Sequence, residues 1–294
     1  MVSAMRRTAS YILIAIALAL AAVMAPVLLN LSSLYPRVYD DRRFPALSRY
    51  ALERTPDIAL VGSSMTFRIY EGYFRTRLRN VSISGGSPLT GLAILASYPS
   101  VPHVVLVDTN IMSRAAESEL MEKFGKNDAA SFQWFRPYRA VISFVYYWIK
   151  YKSENVVALR NSAPATYDIS TSVEQAAAEY GRSNFDAAMA ENTQTMVRLV
   201  STLEARGCKV YFYELPYPGN LGSSHFAVTA RTLMHRAYLY PDQWPQLDYH
   251  LPELRWVDAA HMDERSAAIV AQQMDSVLDH ISSRLEQSQL QPVP

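Results

Sequence analysis

The chain predicts a three-layer α/β/α fold on a mostly parallel five-stranded sheet, preceded by one N-terminal transmembrane helix. Three observations predict it. Five short apolar runs alternate with segments of helical period. These runs are apolar on both faces, as strands covered by helices on each side must be. A long stretch without a charge precedes them all.

That first stretch covers residues 11–29 and follows Arg6 and Arg7. It is long enough to cross the hydrocarbon layer as a helix. Basic residues ahead of a first span favour a cytoplasmic N-terminus, so the remainder is expected outside the cytoplasm. A cleaved signal peptide is the rival reading, because small residues crowd positions 21–25. Pro26, however, spoils the most obvious cleavage point, and the apolar run exceeds a signal core. The chain thus divides into an anchor over 1–30, a polar, proline-containing linker over 31–55, and a catalytic domain over 56–290.

Within that domain the strand-like runs are 57–61, 80–83, 103–108, 209–214 and a short one at 255–257. Helical segments lie at 66–79, 89–98, 184–206 and 262–285. The third is the clearest: Met189, Met196, Val197, Val200 and Leu203 recur at helical spacing, and Gly207 suits a helix stop. Residues 112–183 break the alternation and read as an insertion. They are rich in aromatics, among them Phe132, Trp134, Phe135, Tyr138, Phe144, Tyr146, Tyr147 and Trp148. Such a segment caps the site, faces the membrane or a partner, or extends the core.

Composition excludes several classes. The net charge of +1 and the lack of a Lys/Arg cluster give no nucleic-acid footprint. The lone Cys208 excludes an internal disulfide and a cysteine metal cluster, and reads as a small buried hydrophobe. The histidines show no metal-ligand spacing, so no metal and no cofactor is expected. His225, with Ser223 and Ser224, falls on an expected loop after the fourth strand.

Ligands of parallel sheets bind beyond the carboxyl ends of the strands. Ser64 follows the first run, Gly85 the second, Asn110 the third and Asp258 the last. A serine hydroxyl needs a base to take its proton during attack. His261 supplies that base, and Asp258, three residues earlier, orients its ring. The tetrahedral oxyanion needs donors. Gly85 permits close backbone approach and Asn110 offers an amide.

These blocks, Gly62-Ser63-Ser64-Met65, Asn80-Val81-Ser82-Ile83-Ser84-Gly85, Asp108-Thr109-Asn110 and Asp258-Ala259-Ala260-His261, resemble in order and spacing the SGNH/GDSL hydrolase superfamily. The resemblance implies a flavodoxin-like fold with Ser64, Asp258 and His261 as triad and Ser64, Gly85 and Asn110 around the oxyanion. The chain departs from the family at Ser63, where an acidic residue is usual, at Met65, and around Asn110. In this it resembles the divergent, membrane-anchored branch of envelope polysaccharide O-acetylation proteins. That branch implies a bacterial cytoplasmic-membrane protein with a periplasmic domain, a glycan or glycolipid acceptor, and a multi-spanning membrane O-acyltransferase as acyl donor.

Each residue has a bland reading as well. Ser63 or Ser64 can cap the helix that follows. Gly85 can serve a turn, and Asn110 its own loop. Asp258 can cap the last helix. Three functions follow in order: O-acyltransferase through a Ser64 ester, acylesterase with the same triad, and a non-catalytic glycan-binding scaffold of the same fold.

Overall fold

The computed structural model describes residues 2–28, 47, 50, 56–125, 155–249 and 251–290, with helical positions 138, 141, 142, 145, 146 and 149. The chain divides into two compact units. One comprises Met1–Arg37, Leu52–Arg54 and Asp128–Lys152, and the other Val38–Ala51, Thr55–Asn127 and Ser153–Pro294. The first contains helix α1, Val2–Leu28. Ile12, Leu13, Ile16 and Leu18 on it are exposed. Its side chains are described without a break only from Tyr11 to Ala22. Over the described residues no helix is both long and apolar enough to cross a membrane. The expected linker lies outside the described residues except Leu47 and Tyr50, as do Phe132, Trp134, Phe135, Phe144, Tyr147 and Trp148.

The second unit is α/β. Its sheet holds β1 (Ile58–Val61), β2 (Arg79–Asn80), β3 (Val104–Asp108) and β4 (Lys209–Tyr213). The spatial order is β2-β1-β3-β4 with every pair parallel. Burial explains the continuous apolar runs: all residues of β1 and β3 are buried. The register sets Val61 beside Val107 and Asp108 beside Tyr213, so the strand ends lie level.

Between the strands run α2 (Ser64–Phe67), α3 (Pro88–Ser97), α4 (Ser118–Gly125), α5 (Val156–Arg160), α6 (Ser170–Tyr180) and α7 (Asp186–Glu204), and after β4 come α8 (His225–Ala237) and α9 (Glu264–Leu290). Parallel strands demand right-handed crossovers. The step from β1 to β2 moves one way along the sheet, and the later steps move the other way. The connections therefore fall on opposite faces. Helices α3 and α7 pack together on one, while α9 packs with the Glu71–Tyr73 turn and α5 on the other. In sheets of this kind a ligand crevice opens at that reversal, here between the ends of β1 and β3.

Three expectations are corrected. Residues 255–257 do not add a fifth strand. Val257 N–H donates to His261 and Asp263 N–H to Arg255, so this backbone closes on itself as a Trp256–Met262 bridge and has no bonds left for β4. The helix expected over 66–79 ends at Phe67, because the buried Asn80 amide takes the Thr66 and Ile69 carbonyls. His225 does not sit in a loop. Ser224 caps α8, and His225 opens it with its Nε2 hydrogen-bonded to the Asp186 carboxylate at 2.9 Å. Cys208 is buried as expected, which pushes its thiol up to about 12.

Candidate active site

The turn after β1 divides its two serines between two tasks. Ser63 is the cap: its hydroxyl accepts the Met65 N–H at 3.3 Å. It also donates to Asp108 Oδ2 at 2.8 Å, and its own N–H joins the same oxygen at 3.1 Å. Ser64 is the first residue of α2. Among the described residues its hydroxyl makes no hydrogen bond, and it is half-buried while Gly62, Ser63, Met65 and Thr66 are buried. The capping role is thus filled by the neighbour, and the Ser64 hydroxyl is left uncommitted at the crevice.

Asp108, at the tip of β3, fixes this turn. Its carboxylate also takes the Thr66 hydroxyl at 3.1 Å and the Asn110 N–H at 2.7 Å. Thr66 in turn shares a 2.8 Å bond with the Tyr213 hydroxyl at the end of β4. Full burial pushes the Asp108 carboxyl up, only partly offset by the bonds from Asn110, Ser63 and Thr66. Gly62 is required by this crowding, because a Cβ there would meet Thr66 Oγ1 at 2.6 Å and Asp108 Cβ at 2.8 Å. An acidic side chain thus reaches this turn from the tip of β3.

The C-terminal pair forms as its spacing suggested. His261 Nδ1 lies 2.8 Å from Asp258 Oδ2, and Oδ1 accepts the Ala260 and His261 N–H groups at 2.8 and 2.7 Å. Desolvation raises the Asp258 carboxyl, but the His261 ring, these two amides and the imidazole charge outweigh it and hold it below the usual carboxylate range. The carboxylate fixes the ring through Nδ1, leaving Nε2 as the nitrogen able to accept a proton. The His261 side chain is 22 % exposed, enough for a ligand to reach.

Gly85 and Asn110 are placed less alike than expected. Gly85 is exposed with φ +72, a conformation that glycine adopts without strain, and its carbonyl accepts from Arg114. Asn110 is 2 % exposed. Its amide donates to the Leu215 carbonyl at 2.8 Å and its oxygen accepts the Leu215 N–H at 2.7 Å. Asn110 is thus a strut joining the ends of β3 and β4. Among the described residues no hydrogen bond joins Ser64 to His261, while Asp258 and His261 are directly paired.

Two residues near the site carried no sequence signal. Arg114 holds the Gly85 carbonyl. Tyr180, on α6, stacks on Phe226 at 4.6 Å. Burial and Glu179 raise the Tyr180 phenol, Arg114 opposes them, and Asp258 adds to the rise. An isolated arginine and an aromatic inside an irregular segment offer no spacing from which this could be read. No family model, curated protein or solved structure matches the chain.

Proposed function

We propose that the protein is a serine acyl-ester enzyme, an O-acyltransferase acting on an extracytoplasmic polysaccharide or glycolipid. The observation that carries this reading is the His261–Asp258 pair, with Nδ1 committed and Nε2 left over. The uncommitted Ser64 hydroxyl supports it, as does a crevice at the reversal of strand order.

In the proposed reaction His261 Nε2 takes the Ser64 proton as Oγ attacks the donor carbonyl. The tetrahedral intermediate collapses, its alcohol leaves with the proton from His261, and the acyl group remains as an ester on Ser64. An acceptor hydroxyl then gives its proton to Nε2 and attacks the ester, and as the acyl–Oγ bond breaks Nε2 returns that proton to Ser64. Water in place of that hydroxyl makes the protein an acylesterase. The Ser64 and Gly85 N–H groups serve the oxyanion, for among the described residues neither makes another hydrogen bond. Asn110 contributes by holding the crevice in shape.

Helix α1 is proposed as an uncleaved membrane anchor, on the strength of its uncharged sequence from Thr8 to Leu28 and its exposed apolar side chains. It keeps the enzyme beside a membrane-borne acyl donor, for which a multi-spanning O-acyltransferase is the proposed source. A fluorophosphonate probe tests the chemistry. Labelling of the full chain that vanishes in Ser64→Ala is the expected result. A folded chain that takes no label at all would instead be a glycan-binding scaffold.

A further inference from the structure

On the flank of the His261 loop lies a cavity of about 400 Å³, within the range of roughly 300–1,000 Å³ usual for small-molecule sites. Arg68 and Tyr70 line it from the segment after α2, Ser162 and Tyr167 from the connection between α5 and α6, and Val257 and Glu264 from either side of His261. The cavity therefore touches both segments that carry the proposed chemistry. Since α2 is only four residues long, Arg68 begins about 6 Å along the helix axis from Ser64.

We infer that this cavity is the acceptor subsite and that it takes a neutral sugar ring. Its lining is polar, which disfavours an acyl chain or a lipid tail. Its charges balance. Arg265 is spent on the Ser162 and Glu253 carbonyls, and Asp263 accepts the Ser266 N–H. One cation, Arg68, and one anion, Glu264, are left, and among the described residues neither side chain has a hydrogen-bond or ion-pair partner. A ring of vicinal hydroxyls, each both donor and acceptor, satisfies a guanidinium and a carboxylate at once. The Tyr70 and Tyr167 rings add flat apolar surface for its C–H face. The inference rests on the acyl-transfer reading for the use made of the sugar, not for its binding.

Saturation-transfer NMR of the full chain in detergent, with cellotetraose as probe, tests it. The parent and Ser64→Ala are expected to bind alike, whereas Arg68→Ala and Tyr167→Ala weaken binding about tenfold each, through a lost hydrogen bond in the first and lost ring contact in the second. Unchanged melting temperatures in the two variants would show that they fold. No binding by the parent, or undiminished binding by both variants, overturns the subsite. Binding of an oligomeric uronate in preference to cellotetraose overturns the neutral ring. Because Ser64→Ala is expected to bind, a chain that takes the sugar but no fluorophosphonate sinks the enzyme and spares the cavity.

Discussion

Asp108 and Asp258 each accept several hydrogen bonds, yet their surroundings drive them in opposite directions. Asp108 is fully buried, and desolvation raises its carboxyl despite four hydrogen-bond donors: the Ser63 N–H and hydroxyl, the Thr66 hydroxyl and the Asn110 N–H. Asp258 is partly open to solvent, and its bonds to His261 and Ala260 prevail over desolvation. The first carboxylate organises a turn from inside the fold. The second is kept charged where it can steady an imidazolium. Burial and hydrogen bonding thus separate a positioning aspartate from one suited to catalysis.

The sharpest way to break that contrast is by rate. Ser64→Ala or His261→Ala should lower ester turnover by several orders of magnitude, up to about 10⁶-fold where the groups act as a unit. Asp258→Asn should cost about 10⁴-fold, because an amide in place of the carboxylate holds the ring in the wrong tautomer. Steady-state kinetics on a chromogenic ester checks both.

The positioning side fails differently. Asp108→Ala strands buried donors and should cost about 3–5 kcal/mol in denaturant unfolding. Asn110→Ala leaves both backbone groups of Leu215 unpaired and should cost about 2–4 kcal/mol. If Asn110→Ala instead kept its stability and lost about 10²–10³-fold in kcat, Asn110 would be an oxyanion donor and not a strut. Ser63→Ala removes a cap and should cost about 1 kcal/mol.

Acidity gives the smallest and most specific comparison. The lowered Asp258 carboxyl contributes stability that is present above the usual carboxylate range and is lost as pH falls through its depressed value. The raised Asp108 carboxyl does the reverse: its ionisation costs stability as pH rises from the usual value to the elevated one. Melting curves against pH should lose the acid-side slope in Asp258→Asn. In Asp108→Asn they should lose the slope just above the carboxylate range.

Much of this arrangement was legible in the sequence. The buried strands announce themselves by apolar runs such as Val104–Asp108, and the Asp258–His261 pair is local enough for spacing to suggest it. What stayed hidden depends on contacts between distant segments. Nothing near Ser63 says that Asp108 will cross 45 positions to hold it. Asn110 looked like an amide aimed at a ligand, and only the approach of Leu215, 105 positions later, shows where its groups go. The expected fifth strand failed for a related reason: period and apolarity mark extended chain but not its hydrogen-bonding partner.

The central claim is that Ser64, freed from capping by Ser63, is the nucleophile. Peptide mapping by mass spectrometry of the fluorophosphonate-treated full chain tests it most directly. The account predicts a single adduct on Ser64 that persists, at reduced yield, in Ser63→Ala. An adduct on Ser63, or a folded and soluble chain that carries none, contradicts it.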